Sequence, residues 1–149
     1  MPKTIHIASD HAGFTLKSAV IEHLAKQGRV ALDHGAGNTQ SCDYPVYARA
    51  LCKALLAGDG DDFGILICGS GLGMSMMANR FKGIRAAACT NEFLAGASRR
   101  HNNANVLCLG ERVVGPGLAF AIVDAFLHNQ FEGGRHQSRI AMFDDNPDA

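Results

Sequence analysis

The residue with the clearest chemical potential is a cysteine at the end of an apolar run. Cys68 closes the segment FGILIC, and the five residues that follow, GSGLG over 69–73, include three glycines. Glycines let the backbone approach a ligand closely, and successive N–H groups in such a turn can form a concavity that binds an anion. A helix that begins there adds the positive end of its dipole. These surroundings favour a reactive thiolate, so Cys68 is a candidate base.

Two plainer interpretations stand beside this one. The glycines alone suit a tight turn between a strand and a helix, and a free cysteine is most often simply buried. The turn is not a P-loop, because the GK[ST] ending is missing, and it matches G-x-G-x-x-G only in part. For Cys68 we favour the functional interpretation, whereas Cys52, Cys89 and Cys108 are predicted to be ordinary buried thiols.

Polar residues near other predicted strands could share a ligand with this turn. Asp10 and His11 follow the first strand, where Asp10 could hold or protonate a substrate hydroxyl and His11 could bind an anion. Asp10 could equally cap the next helix. His101 and Asn102 precede the fifth strand, which we place near the sheet edge, and His101 could act as an acid or a base. A lone histidine is more often structural.

Three arginines form the candidate anion-binding set. Arg112 follows the fifth strand, and Arg135 and Arg139 lie four residues apart, on one face if that segment is helical. A guanidinium group binds phosphate through two parallel hydrogen bonds. A solvated basic surface is the ordinary alternative, but the Gly133-Gly134 hinge could carry this tail over a crevice.

The elements that must position these residues alternate between short apolar runs and amphipathic stretches. The pattern predicts strands over 4–9, 30–32, 63–68, 84–90 and 105–109, and helices over 11–27, 43–57, 74–80, 91–100 and 117–131. Five strand–helix alternations indicate an α/β fold, a Rossmann-like three-layer sandwich with a five-stranded, mainly parallel sheet and helices on both faces. Residues 1–149 are predicted to form one domain. In such sheets ligands bind at the carboxyl ends of the strands.

Composition excludes several classes of function. The 149 residues carry a formal net charge of zero, which gives no chain-wide attraction to nucleic acid or to an anionic membrane. The five cysteines show no C-x-x-C and no metal-type spacing, so we expect reduced thiols, no metal site and a cytoplasmic location. No apolar run reaches the ~18 residues of a membrane span.

Taken together, the motifs resemble the ribose-5-phosphate isomerase B family, which includes the galactose-6-phosphate isomerase subunits. The resemblance covers nearly the whole chain. The matching stretches are SDHAGF (9–14), DYP (43–45), ILICGSGLGMSMMANR (65–80), GIRAA (83–87), SRRHNNANVL (98–107), RVVG (112–115) and EGGRHQSR (132–139).

The resemblance implies a metal-independent, cofactor-free aldose–ketose isomerase of the pentose phosphate pathway. Cys68 would be the base that moves a proton between C1 and C2, and Asp10 and His101 would help to open the furanose ring. Some relatives use a glutamate at the position of Met74, which cannot take a proton, so this chain resembles the cysteine-type subgroup. Ser70 keeps the hydroxyl that threonine supplies in some relatives, and it is counted as catalytic.

The remaining implied roles concern binding. The backbone amides of Gly69 to Met74, with Gly71 and Gly73 between them, would hold the enediolate oxygen. Tyr44 and Asn102 would contact the sugar. The phosphate would be held by His11, Arg112, Arg135 and Arg139.

The resemblance also implies a homodimer, or a tetramer, with shared active sites, in which the tail from about residue 132 reaches a neighbouring subunit. Three alternatives stay open at this point. One is the same chemistry on allose 6-phosphate, galactose 6-phosphate or a four-carbon phosphate. The others are a non-catalytic sugar-phosphate-binding module, which would not need Cys68, and a redox sensor that uses Cys68.

Overall fold

A computed structural model describes residues 4–145 as an alternation of strands and helices. The strands are β1 (Ile5–Ser9), β2 (Ala31–Asp33), β3 (Phe63–Cys68), β4 (Ala86–Ala88) and β5 (Val106–Gly110). The helices are α1 (Phe14–Lys26), α2 (Tyr44–Leu56), α3 (Leu72–Ala78), α4 (Glu92–Asn102), α5 (Pro116–His128) and α6 (Arg135–Ile140), with a short 3-10 turn over His11–Gly13. The predicted fold class is therefore confirmed.

The five strands form one sheet in the order β2-β1-β3-β5-β4, and every pairing is parallel. The chain moves outward from β1 to β2, returns past β1 to β3, and later inserts β5 between β3 and β4. The three central strands therefore have carboxyl ends that lie side by side. Crevices at such reversals of strand order are where ligands bind in open parallel sheets.

Apolar side chains on the two faces of the sheet make two separate cores. On one face, Ile7, Ile65 and Leu107 pack against α1, α4 and α5. On the other face, Leu66 and Cys108 pack against α2 and α3. The sheet is covered on both faces, which makes the predicted three-layer sandwich.

The central place of β5 corrects one expectation. We placed the fifth strand near the sheet edge, but it pairs with both β3 and β4, and the edge strand is β4. The residues of β5 explain this, because VLCLG is buried along its whole length, whereas β4 is three alanines with Ala88 exposed. A strand buried on both faces belongs in the interior of a parallel sheet.

Element ends also differ from the predictions. Helix α3 begins at Leu72 rather than at 74, directly after Gly71, whose φ of 81° closes the turn. Helix α5 ends at His128 rather than at 131. The tail does form a helix, α6, which starts after Gly133 and Gly134, both at positive φ. None of the helices within residues 4–145 is both long and apolar enough to cross a bilayer.

Candidate active site

A cleft of about 360 Å³ opens at the carboxyl ends of the three central strands. Each of these strands sends its following loop into the cleft, and α2 closes one side. The lining residues are Asp10, His11, Ala12, Tyr44, Cys68, Gly69, Ser70, Gly73, Arg112 and Val113. The cleft thus contains most of the residues that sequence motifs singled out after β1, β3 and β5.

The loop after β1 places a buried carboxylate at the cleft. Asp10 is 6% exposed, and its carboxylate accepts a hydrogen bond from the N–H of Gly13 at 3.1 Å. Its own N–H donates to the carbonyl of Ile67 at 3.2 Å, which ties this loop to β3. Asp10 therefore both caps the 3-10 turn and lines the cleft, so the two interpretations of this residue are compatible.

The thiol of Cys68 sits at the end of β3, 5% exposed, in the wall of the cleft. The N–H of Gly71 donates to Sγ at 3.1 Å. The carbonyl of Cys68 accepts from the N–H of Glu111 at 2.9 Å, so the loop after β5 holds the backbone in place. A negative charge on this sulfur would face an N–H donor, which suits a thiolate.

Some backbone N–H groups of the glycine turn donate within the turn, and others stay open to a ligand. The N–H of Gly71 is used by the sulfur, and the N–H of Leu72 donates to Ser70 Oγ at 3.2 Å. The N–H of Ser75 makes the first bond of α3, to the carbonyl of Gly71, which leaves the amides of Gly73 and Met74 ahead of the helical ladder. The predicted anion hole therefore has fewer open donors than the motif suggested.

Two residues of the predicted hole do not line the cleft with their side chains or Cα atoms. Gly71 is buried beneath the turn, where an added Cβ would lie 3.0 Å from the carbonyl carbon of Leu109. The side chain of Met74 is fully buried in the core between the sheet and α2. Only the backbone N–H of Met74 can take the role that the resemblance implied.

His11 is held in one orientation by a residue for which the sequence gave no role. The backbone N–H of Cys42 donates to His11 Nδ1 at 3.2 Å. With Nδ1 as an acceptor, Nε2 carries the proton of the neutral ring and is the donor that remains for a ligand. Cys42 therefore supports the cleft through its backbone N–H, and its Sγ also lies 3.9 Å from the same nitrogen.

Arg112 and Tyr44 complete the walls of the cleft. The Arg112 guanidinium lies over Gly69, since an added Cβ there would meet Nη1 at 3.4 Å. The Tyr44 ring lies against Gly73, where an added Cβ would come within 2.6 Å of the ring carbon Cζ. Gly73 is thus required by the Tyr44 ring that packs against it, whereas a Cβ at Gly69 would make an ordinary contact with Arg112.

The other buried cysteines have different surroundings, as predicted. Burial raises the pKa of Cys52 to about 12 and that of Cys89 to about 11. Burial also raises the pKa of Cys108 well above its ordinary value. These thiols stay protonated near neutral pH, and none of them lines the cleft.

The remaining predicted site residues lie elsewhere in the chain. Helix α4 runs back against the strand direction, so His101 and Asn102 at its end reach the amino edge of the sheet, opposite the cleft. Asn102 lines a separate cavity of about 440 Å³ together with Arg85, which directly precedes β4, and Ala104, which lies two residues before β5. Within a single chain, His101 and Asn102 therefore lie away from Cys68.

The predicted tail arginines belong to this second group. Helix α6 packs against α4 and presents Arg135 and Arg139 as exposed side chains. Its buried residue is His136, whose ring stacks on that of His101 with centroids 4.5 Å apart and planes 19° from parallel. Burial, together with His101 and Arg135, lowers the pKa of His136, so its ring is neutral near pH 7.

Sequence reasoning missed some members of both groups. Ala12 and Val113 line the cleft, and small or apolar residues carry no chemical signal that would reveal this. His136 and Glu132 adjoin His101, with His136 Nε2 3.7 Å from a Glu132 oxygen. Both occur in the EGGRHQSR stretch, so the motif contained them, but only the packing of α6 on α4 indicates their partner.

Comparison with known proteins places this geometry in a family. Residues 5–143 match the family described as Ribose/Galactose Isomerase. The chain belongs to this family. Ribose-5-phosphate isomerase B of Escherichia coli is 48% identical over 138 residues, which cover 93% of this chain and 92% of that protein.

Solved structures of family members agree with the fold. The ribose 5-phosphate isomerase of Thermotoga maritima superposes with a TM-score of 0.93 at 50% identity, covering 96% of this chain and 98% of that chain. Ribose-5-phosphate isomerase B of Mycoplasma genitalium, with bound ribulose 5-phosphate, gives a TM-score of 0.92 at 42% identity and covers 97% of each chain. The resemblance that the motifs indicated is confirmed, and so is the assignment of the chain to a family of aldose–ketose isomerases.

Proposed function

We propose that this chain interconverts ribose 5-phosphate and ribulose 5-phosphate, with Cys68 as the base. The observation that carries the proposal is the position of Cys68 at a glycine turn in the wall of a cleft that Asp10 also lines. The family relatives named above for this reaction, and the one with ribulose 5-phosphate bound, support the choice of substrate.

The reaction moves one proton between neighbouring carbons. The Cys68 thiolate takes the proton from C2 of the aldose, which leaves an enediolate whose oxygen carries negative charge. The N–H groups of Gly73 and Met74, at the start of α3, face that charge, and each well-placed donor of this kind contributes about 2.7–4 kcal/mol. A proton also passes from the C2 hydroxyl to the oxygen on C1, and the thiol returns its proton to C1, which gives the ketose. No electron leaves the substrate, so no redox cofactor is needed.

The phosphate binds away from the reacting carbons. His11 Nε2 and the Arg112 guanidinium supply two cationic or hydrogen-bonding groups from the same chain as Cys68. Their binding energy holds C1 and C2 against the sulfur, which raises the rate by orientation. Arg135 and Arg139 would add the second half of the clamp.

This second half comes from a neighbouring copy of the chain. His101, Asn102, Arg135 and Arg139 lie on α4 and α6, at the edge of the sheet opposite the cleft. A two-fold dimer pairs one surface with another in both directions, so two copies can each complete the other's cleft. His101 of one subunit would then act with Asp10 of the other to open the furanose ring before proton transfer.

A direct assay tests the proposed substrate. The purified protein is incubated in a chelator with ribose 5-phosphate, allose 6-phosphate, galactose 6-phosphate or erythrose 4-phosphate, and ketose formation is followed. We expect the highest kcat/KM for ribose 5-phosphate, without added metal. Faster turnover of another sugar phosphate would reassign the substrate, and no turnover of any of them would favour a binding module.

The role of the tail arginines is tested by kinetics. Arg139→Ala should mainly raise KM for ribose 5-phosphate, because phosphate binding is lost in the ground state and the transition state alike. Lys26→Ala is the matched control, since Lys26 is an exposed cation on α1 paired with Glu22. An unchanged KM in Arg139→Ala would remove this residue from the clamp.

A further inference from the structure

Three side chains with metal-ligating atoms converge where α6 packs on α4. His101, Glu132 and His136 each offer one ligand atom, and these atoms all lie within 4.8 Å of one another. No other group of three His, Cys, Asp or Glu side chains between residues 4 and 145 meets this condition. We infer that His101, Glu132 and His136 form a binding site for Zn²⁺ or a similar imidazole-preferring divalent ion.

The backbone holds the three residues together. His101 lies in the last turn of α4, and the N–H of Glu132 donates to the carbonyl of Arg100, the residue before His101, at 3.0 Å. The N–H of His136 donates to the carbonyl of Gly133 at 3.1 Å, which fixes the start of α6. The two imidazole rings are stacked with centroids 4.5 Å apart, which keeps them adjacent, and the more exposed His101 ring has to turn out of the stack before both nitrogens face one ion.

The distances suit a small ion after a modest side-chain adjustment. Zinc binds imidazole nitrogen and carboxylate oxygen at about 2.0–2.2 Å, so ligand atoms around one tetrahedral ion lie about 3.3 Å apart. His136 Nε2 and Glu132 Oε2 are already 3.7 Å apart. Glu132 is exposed and the His101 ring is half-buried, so rotation of both side chains can close the remaining gaps without moving either helix.

The ligand atoms, rather than the charges around the site, select the kind of ion. Arg100 Nε lies 3.7 Å from Glu132 Oε1, and Arg135 and Arg139 are on the same short helix as His136. These cations oppose any divalent ion, but Mg²⁺ and Ca²⁺ also need several oxygen ligands, and this group offers a single carboxylate. Zinc gains from two imidazole nitrogens, and Arg100 on Oε1 leaves Oε2 as the ligand atom and orients it.

The site has a regulatory consequence, which rests on the proposed function. With His101 bound to zinc, its ring nitrogen cannot act on the sugar ring in the neighbouring subunit's cleft. Three protein ligands leave a fourth position open for water. Zinc would therefore be a reversible inhibitor of an enzyme that turns over without metal.

Calorimetric titration of the metal-free protein with ZnCl₂ tests the site without reference to turnover. We expect one ion bound per chain, and an affinity that falls by about tenfold or more in Glu132→Gln. Glu22→Gln removes an exposed glutamate on α1 and should bind zinc as the unsubstituted protein does. Cys68→Ala should also retain the binding, because the thiol is not a ligand.

Two results would overturn the assignment. One is equal zinc affinity in Glu132→Gln and Glu22→Gln, and the other is loss of binding in Cys68→Ala, which would place the ion in the cleft. Inhibition is measured separately, as turnover of ribose 5-phosphate with zinc and after chelation. Turnover should fall in zinc, return with chelator, and resist zinc in Glu132→Gln; full activity with zinc bound would contradict the regulatory step. An inactive protein that still binds zinc would refute the proposed function alone.

Discussion

At the scale of single residues, Cys68 differs from Cys52, Cys89 and Cys108 in what its sulfur contacts. Its Sγ receives the N–H of Gly71 and lines a cleft, whereas burial raises the pKa of the other three thiols. The sequence could predict this difference, because only Cys68 stands between an apolar strand and a glycine turn. It could not predict that the amide of Cys42 would orient His11, since that contact joins a loop to a distant strand end.

Replacement of the proposed base should separate chemistry from binding. Cys68→Ala should lower kcat by about 10²–10⁴-fold, the usual contribution of a positioned base, while ribose 5-phosphate still binds. Cys89→Ala removes a buried thiol outside the cleft and should keep its kcat. The comparison uses initial rates and a binding isotherm for each variant. Full turnover by Cys68→Ala would exclude the thiol from proton transfer.

The raised pKa of Cys52 predicts a loss of stability in alkali. The folded state holds this proton up to a pKa of about 12, while the unfolded chain releases it near pH 9. The contribution to the free energy of unfolding is therefore complete below pH 9 and is lost between pH 9 and 12. At pH 10 the loss should be about 1 kcal/mol, and Cys52→Val should lack it. Denaturant unfolding at pH 7 and pH 10 measures the loss of stability in the unsubstituted protein and in Cys52→Val. An equal loss in the two proteins would refute the expectation.

At the scale of elements, the unit β3–glycine turn–α3 was predictable because its signals are local. An unbroken apolar run predicts a buried strand, and glycines next to it predict a turn with positive φ, which Gly71 has. The sequence could predict helix α6 only as a possibility. Its six residues lie between a glycine pair and an acidic end, and so short a helix is stabilised chiefly by packing on α4. The local sequence pattern could not predict that α6 packs on α4.

Close packing of two loops gives a prediction at this scale. A Cβ added to Gly110 would lie 2.6 Å from the carbonyl carbon of Ser70, and backbone cannot move aside cheaply. Gly110→Ala should therefore lower the free energy of unfolding by about 1–3 kcal/mol and also reduce kcat by displacing the turn beside Cys68. Circular dichroism in denaturant and initial rates measure the two effects.

Gly117 supplies the matched control for that substitution. An added Cβ there meets nothing within 4 Å, and the residue lies in α5. Gly117→Ala should leave the rate unchanged and stabilise the fold by up to about 1 kcal/mol. Equal effects of the two substitutions would show that the contact between Gly110 and Ser70 is unimportant.

At the scale of the whole molecule, the parallel sheet separates the predicted site into two halves. Residues that follow strands, such as Cys68 and Arg112, gather at the carboxyl edge, and residues that end helices, such as His101, lie at the opposite edge. The sequence indicated both sets of residues but not their separation, because strand order depends on which long-range pairings form. The proposed dimer reunites the halves, and each subunit gives its neighbour what its own cleft lacks.

Subunit complementation tests this central claim most directly. Cys68→Ala and His101→Asn should each be nearly inactive as homodimers. After the two variants are unfolded together and refolded in equal amounts, half of the dimers are mixed, and each has one cleft with both residues intact. The account predicts about a quarter of the activity of the unsubstituted protein taken through the same procedure. Activity no higher than that of the separately refolded variants would contradict it.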